Sequence, residues 1–337
     1  MADLGPLEPR LRRPRAARLL LPRELVDLAR HLDPAEDDPC GAARARRVLV
    51  GHVVVTGSAG FVGTHLRAEL GEAFVAFDGD VLEPDPLREA VRGADAVVHL
   101  AAESSVAASW HDVWHTWRVN VDGTVNLLAA VSAEQPEARV LLTSTCEVYG
   151  NAARIPTPED ERLAPVSPYA ASKAAAELAC AASGLDVVVA RAANHEGPGR
   201  DERFAIGSWT RQIARLEADG GGTLRVGDLS AERDILDVRD VCRAYRLLLD
   251  RSVPARTYNV SSGETVTMQQ VVELLVGLAR VPVRVERDES RVRPVEIPRL
   301  AGDPSRLRAA TGWTPEIPLE RTLADTLAAA REMEPVT

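Results

Sequence analysis

The feature that most constrains this chain is a transition that begins at residue 53. Val53-Val54-Val55-Thr56 is a continuous apolar, β-branched run, and it leads directly into Gly57-Ser58-Ala59-Gly60-Phe61-Val62-Gly63. A helical stretch follows, from about Val62 to Leu70. A run without polar alternation reads as a strand buried on both faces, the environment of a parallel sheet. In the GxxGxxG spacing each glycine has a physical task. Gly57 permits the tight turn, Gly60 lets backbone N–H groups approach a pyrophosphate, and Gly63 lets the helix pack closely on the strand. The positive helix end then faces the phosphates. Asp78 closes the next strand, Phe74 to Phe77, 21 residues after Gly57. A carboxylate there accepts hydrogen bonds from an adenosine ribose and repels an added phosphate, which favours NAD(H) and leaves NADP(H) as the second choice. Asp80, two residues on, is an alternative nucleoside anchor.

The same strand–helix alternation continues. Ala96 to Leu100, Val140 to Thr143 and Val187 to Ala190 read as buried strands, with helices around Pro86 to Arg92 and Val121 to Ala133 between them. Repeated β-α-β order implies an α/β fold, a Rossmann-like doubly wound parallel sheet with helices on both faces. Beyond Asn194 the order becomes irregular, which suggests a smaller, mixed C-terminal substrate domain closed by a helix from Thr322 to Glu332. The expected organisation is an N-terminal extension over residues 1–47, a dinucleotide-binding domain over 48–193 and a substrate domain over 194–337. Segments around 235–262 are candidates to rejoin the first domain. The extension carries one amphipathic pattern, Leu25, Leu28, Ala29 and Leu32, and reads either as a docking arm or as dispensable.

Composition narrows the function classes. With 45% hydrophobic residues the chain has material for a packed core, and its net charge of −10 argues against nucleic acid as the main partner. No run approaches the length of a membrane span. The four cysteines, 40, 146, 180 and 242, show neither disulfide nor zinc spacing, so no metal site is expected and reduced thiols in a cytoplasmic protein are the plain reading.

Of 40 basic side chains only one, Lys173, is a lysine. A position that keeps lysine in an arginine-biased chain calls for an amine, because arginine cannot tune its pKa. Lys173 lies four residues after Tyr169, on the same helical face, where an ammonium lowers the phenol pKa and lets it exchange a proton near neutral pH. Upstream, Thr143 to Gly150 follows a buried strand, so its polar groups emerge at the carboxyl edge of the sheet, where open α/β folds bind ligands. Thr145 is a candidate to hydrogen-bond a reacting oxygen and Glu147 a candidate base, against the alternative of a polar turn.

Taken together, GxxGxxG at 57–63, His99-Leu100-Ala101-Ala102, Asn120-Val121-Asp122-Gly123-Thr124, Ser144 to Gly150 and Tyr169xxxLys173 resemble the extended short-chain dehydrogenase/reductases that modify nucleotide sugars. The segment Asn194-His195-Glu196-Gly197-Pro198-Gly199 is similar to that of GDP-4-keto-6-deoxymannose reductases and GDP-mannose 4,6-dehydratases. The resemblance implies Thr145, Glu147, Tyr169 and Lys173 as catalytic. It implies Gly57, Gly60, Phe61, Val62, Gly63, Asp78, Asp80, Val81, Leu100, Ala101, Ala102, Tyr169, Lys173 and His195 as cofactor contacts. Substrate contacts would be Ser104, Cys146, Asn194, Arg233, Arg293 and Glu296, with the arginines and Asn194 on the diphosphate and Glu296 on the ribose. Cys146 departs from the serine or aspartate usual at its position, and Ala192 and Ala193 from larger residues.

The implied activity is NAD(P)H-dependent reduction of a nucleotide-linked, GDP-type 4-keto-6-deoxyhexose at C4. A 4,6-dehydratase or epimerase with transient C4 oxidation is the nearest alternative, and a non-catalytic dinucleotide-binding regulator is one of another class. Trp110, Trp114 and Trp117 fall at helical spacing; core or dimer-interface packing is favoured over a stacking platform for a base, and a homodimer is expected. His111 and His115 share the spacing of a metal pair but read as surface or interface residues.

Overall fold

The computed structural model describes residues 51–292 and 297–333. The amphipathic pattern of the extension, Arg293 and Glu296 lie outside the described residues. β1 (Val53–Thr56) runs through the glycine-rich turn into α1 (Phe61–Leu70), followed by β2 (Phe74–Phe77), α2 (Pro84–Val91) and β3 (Ala96–His99). Two short helices, α3 (Val106–His111) and α4 (Val113–Trp117), lead through one π-helical turn, Arg118–Asp122, into α5 (Gly123–Glu134). β4 (Arg139–Thr145), α6 (Pro168–Ala182) and β5 (Val187–Ala192) continue the series.

Strand order in the main sheet is β10-β5-β4-β3-β1-β2, where β10 is Thr257–Val260, and every pairing is parallel. This is the Rossmann-like architecture that the alternation implies. The period of two sorts the core. Val53 and Val55 pack with Leu66 of α1 and with Val241, Ala244 and Leu248 of a later helix, Val238–Leu248. Val54 faces the other way, toward Leu87 and Val91 of α2 and Leu127 and Val131 of α5.

After β5 come β6 (Asn194–Glu196), α7 (Ala205–Ala218), β7 (Gly222–Val226), β8 (Glu232–Arg233), β9 (Ile235–Asp237) and α8, the Val238–Leu248 helix already met. Helix α8 and strand β10 belong to the main sheet layer. Beyond them lie β11 (Val266–Thr267), α9 (Met268–Gly277), β12 (Val283–Arg287), β13 (Arg299–Leu300), α10 (Ser305–Thr311) and α11 (Leu319–Met333). A second core joins Trp209 and Ile213 of α7, Leu224 of β7, Val271 and Leu275 of α9 and Leu323 and Leu327 of α11.

The tryptophan stripe is corrected by the structure. Asp112 interrupts the expected helix and caps its second half, its carboxylate accepting from His115 N at 2.9 Å. Trp110, Trp114 and Trp117 are 43%, 81% and 37% exposed, so they are not core. His111 and His115 are exposed, and no group of metal-ligating side chains occurs among the described residues. Cys146, Cys180 and Cys242 are free and buried, and no described helix is long and apolar enough to cross a membrane.

Candidate active site

The carboxyl ends of β1, β3, β4 and β5 open on one cleft of about 1040 Å³. Its floor begins at Gly57. There φ is +67°, and a Cβ would lie 2.7 Å from Ala101 N, so the turn after β1 touches the backbone that follows β3. At Gly63 a Cβ would overlap the carbonyls of Gly57 and Ser58, which is the close helix-on-strand packing the spacing calls for. No side chain caps α1, and its N-cap, Gly60, lies on the cleft wall. The amino end of α1 is thus free to meet an anion.

At the far end, Ser58 Oγ donates to Asp78 Oδ1 at 3.0 Å, tying the turn to the end of β2. Asp80 accepts from Leu82 N at 2.9 Å and shapes the next turn. Both acids line the cleft together with Val81, and the stretch Phe77 to Val81 carries no basic residue.

A buried polar chain braces β1 and β3 below the cleft. Ala101 N donates to Thr56 Oγ1 at 3.2 Å, and Thr56 Oγ1 lies 2.8 Å from His99 Nδ1. His99 Nε2 lies 3.2 Å from Thr124 Oγ1, which itself donates to Asn120 O at 2.6 Å. Thr124 has spent its proton on Asn120, so His99 donates through Nε2 and accepts through Nδ1. Burial, with the Lys173 charge adding to it, pushes the His99 pKa down to about 3, so the ring is neutral.

The proton-transfer candidates stand where β4 meets α6. Ser167 caps α6, accepting from Ala170 N at 3.1 Å, and Pro168 occupies its first turn. Three successive residues of β4 then engage three residues of α6. Thr143 O accepts from Lys173 Nζ at 3.0 Å, Ser144 Oγ donates to Glu177, and Thr145 hydrogen-bonds the Tyr169 phenol. Burial pushes the Tyr169 pKa up, the nearby Glu147 charge adds to the rise, and the Thr145 bond opposes it. That runs against the expected direction: desolvation dominates, and the cation opposing it is Arg200. Burial brings Lys173 itself down to about 8, with Glu177 pulling the other way.

Beneath this layer, Arg191 binds Glu177 through both ends of its fork, with Nη2–Oε2 at 2.6 Å and Nε–Oε1 at 3.0 Å. Its Nη1 donates to Tyr149 Oη at 3.0 Å, and Tyr149 donates to Asn259 at 2.7 Å.

The cleft wall includes every expected cofactor contact, together with Ser104, Thr145, Glu147 and Asn194. Cys146 is corrected. It is fully buried, its thiol donates to Arg191 O at 3.4 Å, and burial raises its pKa well above the ordinary value. The short 3-10 turn Cys146–Tyr149 takes it off the described wall of this cleft. Arg233 is also away from the wall: it is 7% exposed in β8 and donates to Glu232 O at 2.8 Å. None of the three stripe tryptophans lines this cleft.

Arg200 is a wall residue that sequence reasoning missed. Its signal was present in Glu196 four residues earlier, just past the glycines of the 194–199 segment. His195 Nδ1 donates to Ala193 O at 3.0 Å, its ring stacks on Phe61, and burial together with the Arg200 charge lowers its pKa to about 4.

A model of the GDP-mannose 4,6 dehydratase family matches residues 67–326. The chain belongs to this family. It is 40% identical over 284 residues to GDP-6-deoxy-D-mannose reductase of Pseudomonas aeruginosa, covering 80% of this chain and 93% of the relative. A structure of RMD from Pseudomonas aeruginosa complexed with NADPH superposes with a TM-score of 0.77 at 38% identity, over 84% of this chain and 99% of that one. A structure of MoeE5 in complex with UDP-glucuronic acid and NAD gives a TM-score of 0.76 at 27% identity, over 84% and 99%. Family membership accounts for the sheet, the glycine-rich turn and the Tyr169/Lys173 pair in one chain.

Proposed function

We propose that this chain reduces the C4 carbonyl of a nucleotide-linked, GDP-type 4-keto-6-deoxyhexose with NAD(P)H. The observation that carries the reading is Tyr169, with Thr145 and Lys173 around it, opening onto the same cleft as the glycine-rich turn. Gly57 and Gly63 fit a dinucleotide-binding turn because a Cβ at either would collide with neighbouring backbone and force the turn open. When bound, the reduced nicotinamide supplies a hydride to the carbonyl carbon. Tyr169 gives its phenolic proton to the carbonyl oxygen, so the carbon gains the hydride and the oxygen the proton. Burial keeps that phenol protonated in the resting site. Thr145 positions the oxygen, and the Lys173 ammonium, held by Thr143 O, stabilises the phenolate left behind. His195 and Asn194 line the cleft, His195 as the candidate nicotinamide contact and Asn194 as the candidate diphosphate contact.

Two further readings belong to the site. The acids Asp78 and Asp80, with no cation between Phe77 and Val81, favour NADH over NADPH, a preference checked by the ratio of the two kcat/KM values. The exposed apolar side chains of α3 to α6, Trp110, Trp114, Trp117, Val125 and Leu178, support a homodimer. Sedimentation of Trp114→Glu, expected as monomer, checks it.

A reductase is favoured over a 4,6-dehydratase because the residue after Thr145 is a buried thiol directed at Arg191 O, which supplies no acid to the cleft. Glu147 on the wall supports the dehydratase or epimerase reading, in which it takes the C5 proton. Incubation with GDP-4-keto-6-deoxyhexoses while following NAD(P)H absorbance and product mass separates them. We expect consumption of reduced cofactor, and a fall in kcat of about 10²- to 10⁴-fold in Tyr169→Phe. No consumption with any keto sugar sinks the reading; turnover of GDP-mannose without net consumption establishes the dehydratase.

A further inference from the structure

The reading above places two diphosphates in one cleft, yet the arginines assigned to them by resemblance are not on its described wall. Arg233 is buried in β8, and Arg293 lies outside the described residues. Of the basic side chains on the wall among the described residues, Lys173 donates to Thr143 O, and Arg203 pairs with Asp201 at 3.1 Å on the exposed rim. Arg200 is different. Its side chain is 12% exposed, its guanidinium lies 3.7 Å from the centre of the Phe204 ring and 4.8 Å from that of Phe61, and Phe61 belongs to the glycine-rich turn. Its Nε is 3.2 Å from Oε2 of the buried Glu196, but neither atom has a hydrogen-bond partner of adequate geometry.

A buried charge pair whose facing atoms lack well-aligned hydrogen bonds is costly to maintain, and aromatic faces fix the plane of a guanidinium without using its N–H donors. The pair therefore holds an arginine fork in place and leaves donor capacity at the cleft. Arg200 also depresses the His195 pKa and opposes the rise at Tyr169, so its charge reaches the reacting end of the cleft.

We propose that Arg200 is an anion-binding residue of this cleft, taking phosphoryl oxygens of a bound nucleotide diphosphate, with Glu196, Phe61 and Phe204 positioning its guanidinium. Arginine suits the task because its planar fork matches phosphate oxygens, and its Nη donors remain for a diphosphate while Nε faces Glu196. The inference rests on the proposed nucleotide binding, and the diphosphate has two sources, the dinucleotide and the sugar nucleotide.

Isothermal titration of NADH and of GDP into the wild type, Arg200→Lys, Arg200→Met and the double variant Glu196→Gln/Arg200→Met tests it. A thermal melt of each variant checks the fold. The double variant removes both charges, so it leaves no lone buried carboxylate. We expect Arg200→Met and the double variant to weaken binding by about 10- to 100-fold, with Arg200→Lys between them and the wild type. Loss confined to NADH assigns Arg200 to the dinucleotide, and loss confined to GDP assigns it to the sugar nucleotide. Binding of both within about twofold of wild type in the double variant overturns the proposal, and so does a loss in Arg200→Met that the double variant restores. If the wild type itself fails to bind GDP, the substrate reading falls while the NADH titrations still decide Arg200.

Discussion

Two buried Glu–Arg pairs lie close together in this chain and are built in opposite ways. Glu177–Arg191 joins α6 to β5, each side chain 7% exposed, with the carboxylate bound by both ends of the guanidinium and by Ser144. Glu196–Arg200 sits at the cleft, is about as buried, and its facing atoms, Nε and Oε2, lack hydrogen-bond geometry at 3.2 Å. The first pair is closed: its groups are used up inside the protein. The second retains donors at a surface where substrate arrives. Burial and charge alone do not tell a brace from a binding group, whereas the count of satisfied bonds does.

The largest test of this contrast is stability. Arg191→Met strands the Glu177 carboxylate among packed side chains and is expected to cost about 3–5 kcal/mol. Arg200→Met leaves Glu196, whose pKa burial already raises, to take up a proton, and is expected to cost less. Urea midpoints of the two variants measure it, and equal losses would erase the distinction.

The next test is the pH profile. The Lys173 ammonium supports the phenol, so kcat/KM should fall as pH rises through about 8. Glu177 holds Lys173 up, so Glu177→Gln should move that limb down by about one pH unit. Glu196→Gln should leave it in place. A limb that moves equally in both variants would show that the closed pair has no special tie to the amine.

The smallest effect is expected at Cys146. Its thiol reports to Arg191 O and not to the cleft, so Cys146→Ala should lose about 1 kcal/mol of stability and keep kcat within about twofold. A tenfold drop in kcat would return the thiol to the site.

Local signals made much of this legible. The unbroken Val53–Thr56 run is β1 with the expected bounds, and Phe74–Phe77 is β2. The lone lysine four residues after Tyr169 pointed to a helix face, and that face meets β4. What the sequence left unread depends on distant chain. One side-chain cap at Asp112 splits the tryptophan stripe, and the 3-10 turn after Thr145 decides which way Cys146 faces. Choosing Arg200 over Arg233 required knowing that residues 195–204 fold back on α1, where His65 Nε2 bonds Pro198 O at 2.9 Å. Spacing in an arginine-rich chain carries no record of that contact.

The ladder between β4 and α6 has one more consequence. Residues 143, 144 and 145 of one strand grip residues 173, 177 and 169 of one helix. Sliding the helix by one residue, about 1.5 Å, would release all three at once. The acid, its amine and the brace below them are thus a single mechanical part with little tolerance for gradual change. The wall between Asn194 and Phe204 makes none of those three contacts, so a substitution there leaves the ladder itself in place.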